Sequence, residues 1–278
     1  MSDELVREFY SSQVRQEWRR LVKNAYHRLE LDTTLHYLGK YLPTKGLVLD
    51  AGGGPGRYTL ELAKRGYEMV LLDATQANLD FAHRMVRRYG IKSQVREITL
   101  GSITDLSRYA EGTFDAVVCT GGPLSHILDP LERSKAIDEL LRVVKPGMPL
   151  FVSVMGRLAV LRVILIESQV EVGMPHFNLL RDKGDYLGER GFTACHFYLP
   201  EEFQREFTRP GIEILALVGL EGISSSHIKE FNQLAKDEQR YRAWLETHLQ
   251  TCTHQAVVGT SEHMLIVCRK NSQADNPR

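Results

Sequence analysis

One acid and four glycines lie close together near residue 50, in a spacing that suits a cofactor site. They are Asp50, Gly52, Gly53, Gly54 and Gly56. The apolar residues that lead into Asp50 are typical of a buried parallel strand. Glycines let a chain turn sharply and let its backbone approach a ligand with no Cβ in the way. Residues 57–64 predict a helix, and the free N–H groups at its start are expected to face that ligand.

The spacing of the glycines and the acid distinguishes between classes of cofactor. A dinucleotide fingerprint has glycine at its first, third and sixth positions. Counted from Gly52, the sixth position is Arg57. Asp50 at the mouth of the loop would also repel a pyrophosphate, whereas it would attract a cationic ligand. A nicotinamide-dependent oxidoreductase is therefore a less favoured alternative.

Three further segments carry polar or glycine residues where a predicted strand ends. Residues 67–73 predict a second strand ending in Asp73, an acid able to accept hydrogen bonds from both hydroxyls of a ribose. Residues 94–100 predict a third strand, followed by Gly101, Ser102 and Ile103. Residues 113–120 predict a fourth, followed by two glycines. Ligands in such sheets bind at the carboxyl ends of the strands.

In this order, residues 45–155 resemble the class I S-adenosylmethionine-dependent methyltransferases, whose first motif is an acid followed by alternating glycines. The resemblance implies S-adenosylmethionine as cofactor and S-adenosylhomocysteine as product. The residues it implies as cofactor-binding are Asp50, Gly52, Gly54 and Gly56 at the methionine end, Asp73 at the ribose, Ser102 and Ile103 at the adenine, and Thr120 and Gly121 near the sulfonium. Ser102 departs from the pattern, because family members often have Asp there.

The elements that must position these residues predict an α/β fold. Strand and helix alternate from residue 46 to residue 154, which is the order of a doubly wound, mostly parallel sheet. Residues 142–154 predict a helix end, a Pro-Gly turn and a fifth strand. Residues 213–219 and 263–268 predict the remaining two of seven strands, and in the family the last strand is antiparallel. Helices are predicted at residues 3–30, 33–41 and 227–250. Thr75 and Asp129 are predicted to cap two further helices.

This pattern predicts that the chain is divided into four parts. Residues 1–44 are predicted to form an N-terminal helical lid, and residues 45–155 a cofactor-binding core. Residues 156–270 are predicted to add substrate-cap insertions and complete the sheet, since irregular segments this long usually carry function. Residues 271–278 are predicted to be a disordered tail.

Composition limits the partners. Lys and Arg total 35, and so do Asp and Glu, so the net charge of zero does not favour nucleic acid. A local cluster of Arg84, Arg87, Arg88 and Lys92 is interpreted as the solvated face of a helix. No segment has the roughly 18 apolar residues of a membrane span. The four cysteines are widely spaced, so no metal site is predicted and a cytoplasmic location is expected. No oligomeric state is predicted.

Two histidines are the candidate catalytic residues. His126 follows the fourth predicted strand, and neutral imidazole has a pKa suited to a general base. His196 lies among aromatic residues that suggest a pocket wall. Tyr10 and Trp18 are candidates to cover the site from the N-terminal helix. The predicted function is methyl transfer to a small-molecule acceptor, with a tRNA-base methyltransferase as the alternative and a non-catalytic scaffold less favoured.

Overall fold

The computed structural model describes residues 2–271, and a seven-stranded sheet forms its centre. The sheet strands are β1 (Leu47–Ala51), β2 (Glu68–Asp73), β3 (Val95–Leu100), β4 (Ala116–Cys119), β5 (Pro149–Met155), β8 (Ile212–Gly219) and β9 (His263–Lys270), while β6 (Asp185–Tyr186) and β7 (Cys195–His196) form a separate hairpin. The order across the sheet is β3-β2-β1-β4-β5-β9-β8. Strands β1 to β5 pair in parallel, and β9 is antiparallel to both neighbours. The predicted fold class is confirmed.

Helices cover both faces of the sheet. They are α1 (Ser2–Arg20), α2 (Ala25–Tyr41), α3 (Arg57–Ala63), α4 (Gln76–Arg88), α5 (Pro130–Val143), α6 (Arg157–Glu167), α7 (Pro175–Lys183), α8 (Pro200–Phe207), α9 (Ile228–Leu234), α10 (Glu238–Thr251) and α11 (Gln255–Val258). Alternation along each strand divides the apolar side chains between two cores. One core packs against α2, α3 and part of α4, and the other packs against α5 and α8.

Three predicted helix boundaries were wrong, and capping side chains explain two of them. The break predicted between residues 30 and 33 does not occur, because α2 runs unbroken from Ala25 to Tyr41. The helix predicted over residues 3–30 breaks at residues 21–24, where the side chain of Asn24 accepts a hydrogen bond from the His27 amide and starts α2. The helix predicted over residues 227–250 is two helices, because Asp237 caps α10 in the same way. Such side chains compete with the backbone for hydrogen bonds and favour helix starts.

The two predicted caps, Thr75 and Asp129, have different outcomes. Asp129 caps α5, since its carboxylate accepts hydrogen bonds from the amides of Leu131 and Glu132. Thr75 precedes α4 as predicted, but its side chain makes no capping bond. The tail prediction for residues 272–278 lies outside the described residues. Within residues 2–271, no helix is both long enough and apolar enough to span a bilayer.

The segment between β5 and α8 forms a small layer of its own. It contains α6, α7 and the β6–β7 hairpin, packed around a separate apolar cluster. Gly156 continues β5 by pairing with Tyr198, so the layer is anchored at both ends beside the sheet. This layer and helix α1 lie on either side of His126, at the carboxyl ends of the parallel strands.

Candidate active site

A deep pocket opens at the carboxyl ends of β1, β2 and β4. Eight of the predicted site residues line it: Gly52, Gly54, Asp73, Ser102, Ile103, Thr120, Gly121 and His126. Helix α1 forms its roof with Tyr10, Glu17 and Arg20. Asp50, Gly56 and His196 do not line it. The topology therefore gathers residues from five separate segments into one cleft.

The glycine loop is tightly packed, and its own backbone N–H groups already have partners. Gly52 and Gly53 donate to the Leu72 carbonyl, Gly54 donates to the Asp73 carboxylate at 2.8 Å, and Gly56 donates to the Gly53 carbonyl. At Gly52 the φ angle is +73°, and a Cβ there would lie 2.6 Å from the Pro123 ring. None of the four glycine amides is thus free for a ligand, and what the loop offers a ligand is close access.

Asp50 lies beneath this loop and is fully buried. One carboxylate oxygen accepts hydrogen bonds from the Thr59 amide and hydroxyl, at 2.9 and 2.6 Å. The other oxygen is buried with no hydrogen-bond partner. Burial, opposed by the Thr59 hydrogen bonds, raises the pKa of Asp50 to about 6. The expectation that this side chain stands at the mouth of the loop was wrong, because the carboxylate is turned toward the start of α3.

Asp73 joins β2 to both the glycine loop and α4. Its two oxygens accept hydrogen bonds from the Gly54 amide, the Thr75 amide and the Asn78 side chain, at 2.8 to 3.1 Å. Burial raises the pKa of Asp73, although these hydrogen bonds favour the ionised form. A carboxylate oxygen has two acceptor sites, so capacity remains toward the pocket. Asp73 thus stands at the pocket wall, firmly oriented.

The ends of β3 and β4 complete the walls. Ser102 and Thr104 share a hydrogen bond of 2.8 Å between their hydroxyls. At the end of β4, the Gly121 amide donates to the Ser153 hydroxyl at 2.9 Å, and its φ is +86°. The Thr120 hydroxyl is buried without a partner and lines the pocket. An unpaired buried hydroxyl in a pocket wall is suited to a ligand contact.

His126 lies where α1, the segment after β4 and the cap layer meet. Its Nδ1 is 3.0 Å from the Ala194 carbonyl oxygen, and its Nε2 is 2.7 Å from the Tyr10 hydroxyl. A carbonyl oxygen only accepts, so Nδ1 carries the proton. Burial lowers the pKa of His126, so the ring is neutral and Nε2 accepts from Tyr10. The predicted candidate base is therefore at the pocket in a single tautomer.

The sequence analysis missed a chain of buried charges that ends at the pocket. Arg20 donates to Glu17 at 2.8 Å and to both oxygens of Glu30 at 2.5 and 3.1 Å. Beyond Glu30, the ring of His263 donates to Glu221 at 2.7 Å. Burial opposes its charge, but Glu30 and Glu221 raise the pKa of His263 to about 9. Such pairing of residues from distant segments leaves no local sequence signal.

Three residues of this network of buried charges are also of the types that bind metal ions. Glu30, Glu221 and His263 offer ligand atoms within 4.8 Å of one another. The imidazole there is protonated and bonded to a carboxylate, so the group is satisfied as an ion network. Arg20 is the member that reaches the pocket: its Nη2 is 3.7 Å from where a Cβ on Gly121 would lie. The network therefore fixes a guanidinium beside the end of β4.

His196 lies away from the pocket. Its Nδ1 is 2.6 Å from Asp185 and its Nε2 is 2.9 Å from Glu202, whose other oxygen accepts from Arg157 at 2.7 Å. Both ring nitrogens are therefore held by carboxylates of the cap layer and of α8. The prediction that His196 is catalytic is not supported by this position. Its aromatic neighbours mark the packing of the cap layer.

The residues present fit S-adenosylmethionine. The cofactor has no phosphate, and the glycine loop has no spare N–H groups for one. Its adenosine requires a ribose-binding acid, and Asp73 is at the pocket wall. Its methionine end carries an ammonium and a carboxylate, and Glu17 and Arg20 stand side by side in the roof. The ribose and the amino-acid end of the cofactor thus each have groups of matching chemistry in the pocket wall.

Comparisons with known proteins agree with this chemistry. A family model described as a methyltransferase domain matches residues 48–147. The tRNA 5-carboxymethoxyuridine methyltransferase of Escherichia coli is 25% identical over 88% of this chain and 87% of its own length. A ubiquinone biosynthesis O-methyltransferase of Dechloromonas aromatica is 34% identical over 40% of this chain and 44% of its own length. A methyltransferase structure from Methanosarcina mazei has a TM-score of 0.60 at 20% identity, covering 85% of this chain and 98% of that one.

Fold and pocket together define a Rossmann-like transferase core with an antiparallel final strand. With the domain match, residues 48–147 form a methyltransferase domain, and the findings support the class I S-adenosylmethionine-dependent type. It is an enzyme of that class, and S-adenosylmethionine is its cofactor. The alternatives of a nicotinamide oxidoreductase and a scaffold are set aside.

Proposed function

We propose that the chain transfers the cofactor's methyl group to a nucleophile held between Tyr10, His126 and the end of β4. The observation that carries this proposal is one pocket lined by both the cofactor-type residues and a neutral, oriented histidine. When bound, S-adenosylmethionine supplies a methyl group activated by its sulfonium. The protein's contribution is alignment, which is worth roughly 7–11 kcal/mol in such displacements.

His126 is the general base in this proposal. The Ala194 carbonyl keeps the proton on Nδ1, so the lone pair of Nε2 faces Tyr10 and the pocket. An acceptor hydroxyl or amine that replaces the Tyr10 hydroxyl would lose its proton to Nε2 as its bond to the methyl carbon forms, and the methyl–sulfur bond would break to release S-adenosylhomocysteine. In the enzyme without an acceptor, the Tyr10 hydroxyl therefore donates to Nε2 of His126 and fixes the orientation of the imidazole ring.

The Glu17–Arg20 pair is the proposed site for the methionine end of the cofactor. A fixed guanidinium beside a carboxylate is complementary to an amino acid's carboxylate and ammonium. Asp73 is proposed to bind the ribose, and Ser102 and Ile103 to flank the adenine. Gly52, Gly54 and Gly121 provide close approach, and Thr120 provides a free hydroxyl. Asp50 and Gly56 support the loop from below, because neither lines the pocket.

Binding calorimetry tests this site without an acceptor. S-Adenosylhomocysteine carries the amino-acid end, and 5′-methylthioadenosine lacks it. We expect Arg20→Gln and Glu17→Gln to weaken binding of S-adenosylhomocysteine by about tenfold or more, and to leave methylthioadenosine unchanged. Equal weakening of both ligands, or of neither, contradicts the assignment.

Two controls keep that test independent of folding. Arg7→Gln removes a charge from the rim of the same pocket, and is expected to leave both affinities within about twofold. Arg20→Gln leaves Glu30 buried and unpaired, which is costly. The double variant Arg20→Gln/Glu30→Gln restores neutrality, so it should fold and still bind S-adenosylhomocysteine weakly.

A small molecule is the first candidate acceptor. The net charge of zero favours it, as does a pocket roofed by α1. A screen of metabolites with labelled cofactor tests it, by the mass of the labelled product.

A tRNA base is the second candidate, and one comparison favours it. The small-molecule relative described above matches only 40% of this chain, whereas the tRNA enzyme matches 88%. In this family the core binds the cofactor, and the added segments select the acceptor. A likeness that extends over the added segments therefore bears on the acceptor more than a likeness in the core does. Label transfer to unmodified tRNA tests this candidate in the same assay.

Two of the predicted parts of the chain are proposed to close the pocket, one as a lid and one as a cap. Helix α1 is the lid, since it roofs the pocket and is joined to α2 by the short segment 21–24. The layer of residues 156–200 is the cap, since Ala194 holds His126. Limited proteolysis tests both parts: S-adenosylhomocysteine should protect the 21–24 segment. No protection would argue against a lid.

A further inference from the structure

A basic surface lies on the outer side of α1, α4 and the end of α3. Its six exposed cations are Arg15, Arg19, Lys64, Arg84, Arg87 and Arg88. We call this the basic face. The overall charge of zero conceals it, because a net charge does not show where the charges lie; the exposed acids of α1 and α4 are Glu4, Glu8 and Asp80. Segregated charge of this kind is a feature of proteins that bind polyanions.

The cations of the basic face have no acidic partners among the described residues. Arg28, Arg96, Arg108, Arg209 and Arg242 each form an ion pair elsewhere on the surface. By contrast, no salt bridge within residues 4–271 includes any member of the basic face. A solvated helix face usually interleaves both signs of charge. Six unpaired cations together therefore differ from an ordinary surface.

Aromatic rings lie among these cations. The rings of Trp18 and Phe81 are 5.5 Å apart, and Trp18 and Tyr89 are 6.3 Å apart. Lys64 lies over the Tyr89 ring at 4.9 Å, and Arg84 lies over Phe81 at 5.3 Å. Tyr89 is 42% exposed, so part of its ring is accessible to a partner. Exposed rings within a basic surface are the arrangement that stacks unpaired bases beside their phosphates.

The basic face is continuous with the pocket. Helix α1 contributes Arg15 and Arg19 to the outside, while Tyr10 and Glu17 of the same helix line the roof. Arg7, about two turns before Arg15, is exposed and lies at the pocket rim. Cations thus follow α1 from the basic face to the opening. A chain bound on this face has a positively charged path to the place of methyl transfer.

We infer that the basic face is an RNA-binding surface that docks the sugar-phosphate backbone while a base enters the pocket. This inference rests on the proposed methyl transfer and on its second candidate acceptor. A membrane surface is less suitable, because the exposed aliphatic residues of α6 and the turn after it, such as Ile166 and Val170, lie in the cap layer and outside the basic face. The partly exposed ring of Tyr89 lies among cations and offers stacking.

Salt-dependent binding of unmodified tRNA to the full chain tests the inference. Binding should fall steeply as potassium chloride rises from about 50 to 200 mM, because each phosphate contact releases counterions. The variant Arg84→Gln/Arg87→Gln/Arg88→Gln should weaken binding at least tenfold at low salt. It should also reduce the slope of log affinity against log salt by about 2 to 3. Tyr89→Ala should weaken binding and leave that slope unchanged.

A matched variant on another surface is the control. Lys229→Gln/Lys236→Gln/Arg240→Gln removes three exposed cations near α9 and α10, and should keep both affinity and slope. The inference is overturned if the intact chain does not bind tRNA at low salt, if the two triple variants lose affinity equally, or if anionic lipid vesicles bind as tightly as tRNA. S-Adenosylhomocysteine affinity, measured on every variant, should not change. If the intact chain does not bind S-adenosylhomocysteine, the proposed methyl transfer is contradicted instead.

Discussion

The hydrogen bonds of His126 lead to a testable assignment at the scale of one residue. Replacing His126 by Ala removes the proposed base and leaves the cofactor-type residues in place. Turnover should fall by about 10²–10⁴-fold, while the affinity for S-adenosylhomocysteine stays within about twofold. Label transfer and calorimetry measure the two quantities. Turnover that is unchanged would exclude a catalytic role.

The pH dependence of the same residue has a definite sign. Burial lowers the pKa of His126, so the neutral, proton-accepting form persists below pH 6.5. The rate at saturating substrates should therefore stay level as the pH falls from 7.5 through about 6.5. An exposed histidine base would lose half its activity there. A midpoint at or above 6.5 in the wild-type profile contradicts the buried, neutral base.

Asp50 is a residue whose burial lowers stability at neutral pH. Its pKa in the folded chain is about 6, raised from 3.8, so the protonated form is favoured by folding. The stabilisation present below pH 3.8 is lost as the pH rises through 6. Asp50→Asn should consequently raise the free energy of unfolding by about 1–3 kcal/mol at pH 7, and leave it unchanged near pH 4. Urea unfolding at the two pH values measures this, and no gain at pH 7 would contradict it.

Because the ionised Asp50 lowers stability, we expect it to contribute to cofactor binding, and the Asp50→Asn variant tests this. S-Adenosylmethionine carries a positive sulfur and S-adenosylhomocysteine does not. The Asp50 carboxylate lies below the glycine loop, with one oxygen unpaired. Asp50→Asn should therefore weaken binding of the charged cofactor more than binding of its neutral product. Equal changes for both ligands would mean that Asp50 serves only the loop.

At the scale of elements, the cap layer depends on a latch around His196. Burial opposes the charge on this ring, but Asp185 and Glu202 raise the pKa of His196. The latch thus contributes stability that is complete below pH 6.5 and is lost as the pH rises through the raised value. Proteolysis within residues 184–196 should accelerate toward alkaline pH. In Asp185→Asn the cleavage should be faster at every pH and depend less on it. A wild-type rate that is constant with pH would rule out the latch.

The fold as a whole was predictable because its strands carry local signals. Each of β1, β2 and β4 is a short apolar run followed by an acid or a glycine, and the sheet order follows from the alternation with helices. The helix ends were harder, since Asn24 and Asp237 break helices whose apolar pattern continues. The ion-pair partners of Arg20 and His196 could not be predicted from the residues next to them in the sequence. Arg20 meets Glu30, and His196 meets Asp185, only after the chain has turned back on itself, and the separations of 10 and 11 residues are not those of neighbours on one helix or strand.

The hydrogen bonding of the whole cofactor region leads to a prediction of ligand class. All four glycine amides of the loop already donate within the chain, and Asp73 holds one of them. A pyrophosphate would have to break these bonds and lie above the buried Asp50 carboxylate. S-Adenosylhomocysteine at about 100 times its Kd should stabilise the fold by about 2.7 kcal/mol, and raise Tm by about 5 °C. NAD and ATP at the same concentration should leave Tm unchanged, as measured by differential scanning fluorimetry. A larger shift with either nucleotide than with S-adenosylhomocysteine would show that the loop reorganises into a phosphate site.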